Sequence, residues 1–293
     1  MSENTVGFIG LGNMGGPMAT HLVSAGSKLL VHDAAGTQTR APSGASVAAN
    51  NQAVARGAEL IILSLPNAEI VETVINELMN TKDRCVHTII DTSTIGTTAA
   101  REMYAALAKT DILYLDCPVS GGVSGARNAT ITAMFAGPAT DYERYAPLLR
   151  NVAANVIHVG VAAGLGQAMK LLNNFLSATA LAATSEAIAF GVGQGLEMAT
   201  MLDALNTSSG RNTATADKFP NRILTDSYDA GFTSRLMEKD VRLYLEAVNE
   251  AHGEQPVAPA VHKVWQQLED AEPNTDICRI YPFVRDGHFD DDA

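Results

Sequence analysis

Residues 5–33 read TVGFIGLGNMGGPMATHLVSAGSKLLVHD, and their order decides the fold. A short apolar run, 5–10, passes straight into Gly10-Leu11-Gly12-Asn13-Met14-Gly15. A helix-like segment follows from Gly15 to Ala25, and a second apolar run, 29–33, ends in the carboxylate of Asp33. Strand, glycine-rich turn, helix, strand and acid in this order make a dinucleotide site. Gly10 permits the tight turn, Gly12 lets a pyrophosphate approach bare backbone, and Gly15 lets the helix pack closely on the strand. The helix N-terminus, whose first N–H groups lack partners within the helix, faces the anion. A carboxylate about 20 residues past the loop accepts hydrogen bonds from the adenosine ribose and repels a 2′-phosphate. Asp33 therefore favours NAD, and Arg40 just behind it offsets part of the repulsion, which leaves NADP as the lesser alternative.

Outward from this unit, further apolar runs lie at 60–66, 87–93, 112–119, 130–137 and 156–160. Most are nearly continuous in apolar character, as befits parallel strands covered on both faces. Helix-like segments lie between the early ones, at Ser46–Arg56, Ala68–Met79 and Thr98–Lys109. This repetition predicts a doubly wound, mostly parallel α/β sheet. After about Gly160 the pattern becomes helical as far as the region of Val264, with loops at 206–211 and 227–232. The expected organisation is an α/β Rossmann domain over residues 1–162 and an all-α domain over residues 163–293. Asp290, Asp291 and Asp292 read as a frayed, solvated tail.

Apolar residues make up 46% of the 293 and charged residues 18%, enough for a sizeable interior. The net charge of −12, with no basic block, argues against nucleic acid and anionic membrane surfaces as partners. The three cysteines are far apart and read as buried small residues in a reducing, cytoplasmic setting. No histidine pair has metal-ligand spacing on one helix face, so no metal is expected. The stretch Phe175–Leu196 is apolar but carries Glu186 near its centre, which reads as a helix buried in protein rather than a membrane span. Either the second domain or a partner subunit would cover it.

The polar groups that interrupt apolar runs mark the candidate site. Leu65-Pro66 and Ser93-Thr94 end strands, where ligands of open parallel sheets bind. In the segment that begins at Asp116, Ser120, Gly121 and Gly122 offer a hydroxyl and consecutive N–H groups to a carboxylate or phosphate. GLGQAMKLLNNFL, residues 164–176, holds a lone lysine, Lys170, in an apolar helix-like run. Lys170 and Asn174 are one helical turn apart on one face, with Asn173 beside them. A lysine in a desolvated cleft titrates nearer neutrality, which suits it to general acid–base work on a substrate hydroxyl. From spacing alone, Lys170 snorkelling to the surface is the competing reading, and Lys239-Asp240 would pass as an exposed helix pair.

GFIGLGNMG, DCPVSGG, GQAMKLLNN and FTSRLMEKD, in this order over residues 5 to about 250, resemble the β-hydroxyacid dehydrogenases, typified by 3-hydroxyisobutyrate dehydrogenase. The resemblance implies a Rossmann domain joined by a long helix to a helical domain, in a homodimer or homotetramer. It makes Lys170 the catalytic lysine and Asn174 the asparagine that orients the substrate. Ser120, Gly121 and Gly122 become the substrate-carboxylate segment, and Leu65, Pro66 and Thr94 become cofactor contacts. Lys239 matches a lysine that closes over the active site near the nicotinamide, as a substrate and cofactor contact, with Asp240 beside it as a further cofactor contact. The sequence departs from the family at Asn212 and Thr213, where an aromatic residue is common, and this suggests a more polar pocket.

The reaction implied is hydride transfer between NAD and the hydroxyl-bearing carbon of a small 3-hydroxy acid. A semialdehyde reductase of the tartronate or succinic type is the alternative on the same scaffold. Imine reductases share the scaffold but typically lack this lysine, and a non-catalytic dinucleotide-binding module would have no use for Lys170, Asn174 and Lys239 together.

Overall fold

The computed structural model describes residues 5–287; the acidic end at 290–292 lies outside the described residues. Six parallel strands form the first sheet: β1 (Val6–Ile9), β2 (Leu29–His32), β3 (Ser46–Val47), β4 (Leu60–Leu63), β5 (Thr88–Asp91) and β6 (Leu113–Asp116), in the order β3-β2-β1-β4-β5-β6. The order reverses direction at β1, which pairs with β2 on one side and β4 on the other. This puts a crevice at the carboxyl ends of β1 and β4, where such sheets bind ligands. Helices α1 (Gly15–Ser24), α2 (Thr37–Arg40), α3 (Asn51–Gly57), α4 (Ala68–Met79) and α5 (Thr97–Leu107) make the crossovers. The apolar runs are continuous because both faces are covered. Phe8 and Ile62 enter one buried cluster with Met18 and Leu22, while Ile9, Ile61 and Leu63 enter another with Val71 and Ile75.

Two local readings change. The expected helix at Ser46–Arg56 is the edge strand β3 followed by α3, which starts where the Asn50 side chain accepts from the Ala53 N–H at 2.8 Å. The run 112–119 is two strands, because Pro118 has no N–H with which to continue a ladder. Beyond it β7 (Val119–Ser120) leaves the first sheet and pairs antiparallel with β8 (Ile131–Ala136). β8 in turn pairs parallel with β9 (Ala153–Gly160), giving a second, three-stranded sheet with α6 (Gly122–Arg127) and α7 (Ala139–Leu149).

The chain divides into two compact units, Met1–Lys170 and Leu171–Ala293. By contacts the division falls inside the long helix α8 (Leu165–Gly193). The first turn of α8 is hydrogen-bonded to Asp116 of β6 and to the loop after β5, which joins it to the first unit. The second unit continues with α9 (Met198–Asn206), a π-helical segment (Ala214–Ile223), α10 (Ser234–Glu250), α11 (Ala258–Ala271) and α12 (Ile280–Arg285). Helix thus extends past Val264, and the core holds Trp265, Phe219, Leu181, Val241 and Phe283.

Among the described residues α8 alone is long and apolar enough to cross a membrane by length and composition, and only 33% of its most apolar window is buried. The expectation of a helix buried in protein holds for one face. On the other, Leu165, Met169, Leu172, Leu176, Ala183, Ala187 and Phe190 form an exposed stripe. Their spacings of three, four and seven keep them on one side of the helix.

Candidate active site

The glycine loop at the end of β1 separates what the protein needs from what a ligand needs. A Cβ on Gly10 would lie 2.2 Å from the Ser64 carbonyl oxygen, and one on Gly15 would lie 1.9 Å from the Gly10 oxygen. Neither position admits a side chain. A Cβ on Gly12 would meet nothing within 4 Å, so the bare backbone there faces open space. Met14 begins α1 without a side-chain cap, which leaves the first turn to be capped by an anion. Asp33 lies against this loop, its Oδ2 accepting from the Leu11 N–H at 2.6 Å and its Oδ1 from the Ala35 N–H at 2.8 Å. Each oxygen retains a lone pair for a ribose hydroxyl. Arg40 Nε stands 3.8 Å from Asp33 Oδ1, placing a cation where the sequence suggested one. Open space over Gly12, an uncapped helix start and a carboxylate with free lone pairs beside the loop fit a dinucleotide.

A buried polar network joins the ends of the next strands. The Leu65 N–H donates to Ser93 Oγ at 2.9 Å, and the Ser93 N–H donates to Asp91 Oδ1 at 2.9 Å. The Tyr114 hydroxyl donates to Asp91 Oδ2 at 2.9 Å. Asp116 reaches out from β6 to the start of α8, accepting from the Gly164 and Gln167 N–H groups at 3.0 Å each. Gln167 Nε2 donates to the Ser93 carbonyl at 2.9 Å, and its Oε1 accepts from the Ile95 N–H at 3.0 Å. Burial raises the Asp91 carboxyl above its ordinary value against the pull of its hydrogen bonds to Ser93 and Tyr114. Burial pushes the Asp116 carboxyl up to about 6, the two backbone N–H groups opposing it and the Asp91 charge adding to it. Burial, then the two carboxylates, hold the Tyr114 hydroxyl well above the usual phenol range.

Lys170 lies one helical turn beyond Gln167 and is only 7% exposed, so it does not snorkel to solvent. Asn174, on the same face of α8, is 6% exposed. In the second unit the Asn174 amide donates to Asp240 Oδ2, and Lys239 Nζ is 3.2 Å from Asp240 Oδ1. Asp240 is 2% exposed, so Lys239-Asp240 is not the exposed helix pair that spacing alone suggested. Asn173 donates to Asn174 Oδ1 at 3.0 Å. Ser120 ends β7, and Gly121 and Gly122 follow with φ of +137° and +64°.

The structure thus gathers the predicted residues into local groups: Gly10–Gly15 with Asp33, Leu65 with the strand end that carries Thr94, and Asn174 with Lys239 and Asp240. Sequence reading assigned no role to Asp91, Tyr114 or Gln167. Gln167 carried the same signal as Lys170, a polar side chain in an apolar helical run. Asn212 is used differently from the sequence reading. Its Oδ1 caps the N–H groups of Ala214 and Thr215, and its Nδ2 donates to Thr184 Oγ1 and the Gly210 carbonyl. Those four bonds fill the amide's capacity and leave nothing for a polar pocket.

Gly12→Ala is expected to keep the wild-type melting temperature within about 2 °C, since a ~0.5 kcal/mol surface effect moves it little, while weakening NADH binding at least tenfold. Gly15→Ala is expected to destabilise the fold itself; thermal unfolding and NADH fluorescence titration separate the two. The folded Asp116 carboxyl at about 6 lies above its ordinary 3.8. Its contribution to stability is therefore full below about pH 4 and is lost as pH rises through about 6. Between pH 4.5 and 7, wild-type stability should fall by roughly 2 kcal/mol relative to Asp116→Asn in urea unfolding. An unchanged difference would mean that Asp116 is ionised throughout.

Comparison with known proteins agrees with this geometry. Residues 5–160 match the NAD binding domain of 6-phosphogluconate dehydrogenase, and residues 164–283 match the family described as NAD-binding of NADP-dependent 3-hydroxyisobutyrate dehydrogenase. The chain is 35% identical over 265 residues to 2-(hydroxymethyl)glutarate dehydrogenase of Eubacterium barkeri, covering 89% of this chain and 88% of that one. It is 34% identical over 276 residues to NAD-dependent L-serine dehydrogenase of Pseudomonas aeruginosa, covering 90% and 91%. The solved structure of 3-hydroxyisobutyrate dehydrogenase from Mycobacterium tuberculosis with L-serine matches with a TM-score of 0.87 at 29% identity, over 96% of this chain and 99% of that one. The cofactor is a nicotinamide dinucleotide, NAD ahead of NADP. With its parallel dinucleotide-binding sheet, helical second unit and these relatives, the chain belongs to the β-hydroxyacid dehydrogenase family, as an NAD-linked oxidoreductase of hydroxy acids.

Proposed function

We propose that this enzyme oxidises the primary alcohol of a 2-substituted 3-hydroxypropionate, reversibly, with Lys170 as general acid–base. The observation that carries the reading is a lysine 7% exposed on the turn of α8 that is braced to the sheet, with Asn174 on the same helix face. The substrate class is supported by the named relatives. Serine, 3-hydroxyisobutyrate and 2-(hydroxymethyl)glutarate each bear a hydroxymethyl group on the carbon that carries a carboxylate.

Bound NAD supplies the acceptor for the carbinol hydride. Lys170, as the neutral amine, takes the hydroxyl proton while the hydride departs. In the reductive direction its ammonium returns that proton to the carbonyl oxygen, which is the chemistry of a semialdehyde reductase. Asn174, its amide fixed by Asp240, orients the hydroxyl. Ser120, Gly121 and Gly122 hold the substrate carboxylate, and Lys239 joins in substrate and cofactor binding with Asp240. Gly10, Leu11, Gly12, Asn13, Met14, Gly15, Asp33, Leu65, Pro66 and Thr94 form the NAD site.

The exposed stripe on α8 supports a homodimer or homotetramer, and the free thiols of exposed Cys85 and buried Cys117 and Cys278 support a cytoplasmic setting. Lys170, Asn173, Asn174 and Glu186 interrupt the helix's apolar character and argue against a membrane span.

The test is NADH formation across 3-hydroxyisobutyrate, 3-hydroxypropionate, L-serine, glycerate and 4-hydroxybutyrate, each with NAD and NADP. Turnover of 3-hydroxyisobutyrate, L-serine or glycerate with NAD is expected, and turnover of 3-hydroxypropionate or 4-hydroxybutyrate alone would overturn the substrate class. Lys170→Ala should lower kcat at least ~100-fold with NADH affinity unchanged; retention of more than a tenth of wild-type turnover would remove Lys170 from the chemistry. Leu176→Glu with Phe190→Glu should convert the oligomer to monomer in light scattering, and an unaltered mass would move the interface elsewhere.

A further inference from the structure

Gln167 is fully buried and sits at a junction that no single motif describes. Thr94 is flanked by two peptide groups, and the Gln167 side chain holds both. Its Nε2 donates to the Ser93 carbonyl ahead of Thr94 at 2.9 Å, and its Oε1 accepts from the Ile95 N–H behind Thr94 at 3.0 Å. The Gly96 N–H adds a longer bond to the same oxygen at 3.3 Å. A primary amide presents donor and acceptor on one planar group, which this pair of peptides requires. Glutamate would lose the donor, lysine the acceptor, and asparagine would fall a methylene short.

The other end of the brace is equally firm. The Gln167 backbone N–H is held by Asp116 Oδ2 at 3.0 Å, and the Gly164 N–H by Oδ1 at 3.0 Å, so the first turn of α8 cannot slide along the sheet. Gly166 permits this approach, since a Cβ there would lie 2.7 Å from both Asp116 Oδ2 and the Met134 oxygen. Ser93 Oγ also accepts from the Leu65 N–H at 2.9 Å, which brings the end of β4 into the same assembly. Lys170 follows Gln167 by three residues, about 4.5 Å along the helix axis.

We propose that Gln167 is a positioning residue for hydride transfer. Its side-chain amide sets the spacing between the cofactor loop at Thr94 and the acid–base group at Lys170. This rests on the reading of Lys170 and Thr94 given above. Misplacement of reacting groups by about 1 Å costs about 100-fold in rate, so a brace at this joint governs the chemical step more than binding.

The experiment compares Gln167→Met, which keeps the volume and removes the amide, with Gln167→Glu, which keeps the acceptor. With the best substrate of the panel, Gln167→Met should lose 10- to 100-fold in kcat, and NADH affinity should stay within about threefold. Its primary isotope effect, with substrate deuterated at the carbinol carbon, should rise above the wild-type value as the chemical step becomes limiting. Hydrogen exchange at Ile95 and Gly96 should quicken at least tenfold while the amides of β5 keep their protection. Gln167→Glu should restore that protection and lose only three- to tenfold in kcat. Wild-type kcat and isotope effect in a folded Gln167→Met protein would overturn the proposal. If that variant does not fold, wild-type kcat and isotope effect in Gln167→Glu would do the same. Should Lys170→Ala remain active, the acid–base reading fails by itself, and the exchange rates of Ile95 and Gly96 still decide whether Gln167 holds the loop.

Discussion

A helix that starts against the edge of a sheet must satisfy its first N–H groups without water, and here the Asp116 carboxylate does so. It ends β6 and takes the N–H groups of Gly164 and Gln167. Burying a carboxylate is costly, which is why its proton is held up to about 6. An apolar contact would cover the same surface more cheaply but would fix neither the register nor the rotation of α8. Asp116 fixes both, and everything that α8 presents in its first turns inherits that precision.

The crevice at the carboxyl end of β1, inside the sheet, is built by the opposite means. Where α8 is held by a side chain, the glycine loop presents bare backbone. Gly10 and Gly15 are bare because neighbouring carbonyls leave no room, whereas the space beside Gly12 is open. Asp33 is tied to the loop through the Leu11 N–H, so the carboxylate at the end of β2 and the glycine loop form one rigid piece. Preorganisation of this kind means that ligand binding orders little that is not already ordered.

Much of this was legible in the order of residues, for reasons that can be named. GLGNMG between a strand and a helix is a local requirement of backbone geometry, and so are the apolar runs of strands buried on both faces. Lys170 stood out because a charge in an apolar helix needs an explanation. Gln167 obeyed the same rule three residues earlier and went unassigned, because an amide's partners are named only by the loop that folds over it. The break at Pro118 was visible as a residue without an N–H, but the second sheet depends on β8 and β9, far along the chain. Asn212, which its place in the sequence suggests as pocket lining, is a cap, since its four partners are Gly210, Thr184 of α8 and the first two residues of the π-helical segment.

By itself the sequence determined the elements whose causes lie within a few residues: the glycine turn, the strand periodicity, the acid at the end of β2, and the helix that bears Lys170 and Asn174. Only the tertiary structure decided which carboxylate caps α8, which amide clamps the Thr94 loop, that Asp240 ties Asn174 to Lys239, and which face of α8 stays uncovered. Short-range sterics act along the chain and leave their mark on adjacent residues. A buried hydrogen bond takes its partner from whatever the fold brings within 3 Å or so, and that distance is set by the packing of the whole sheet.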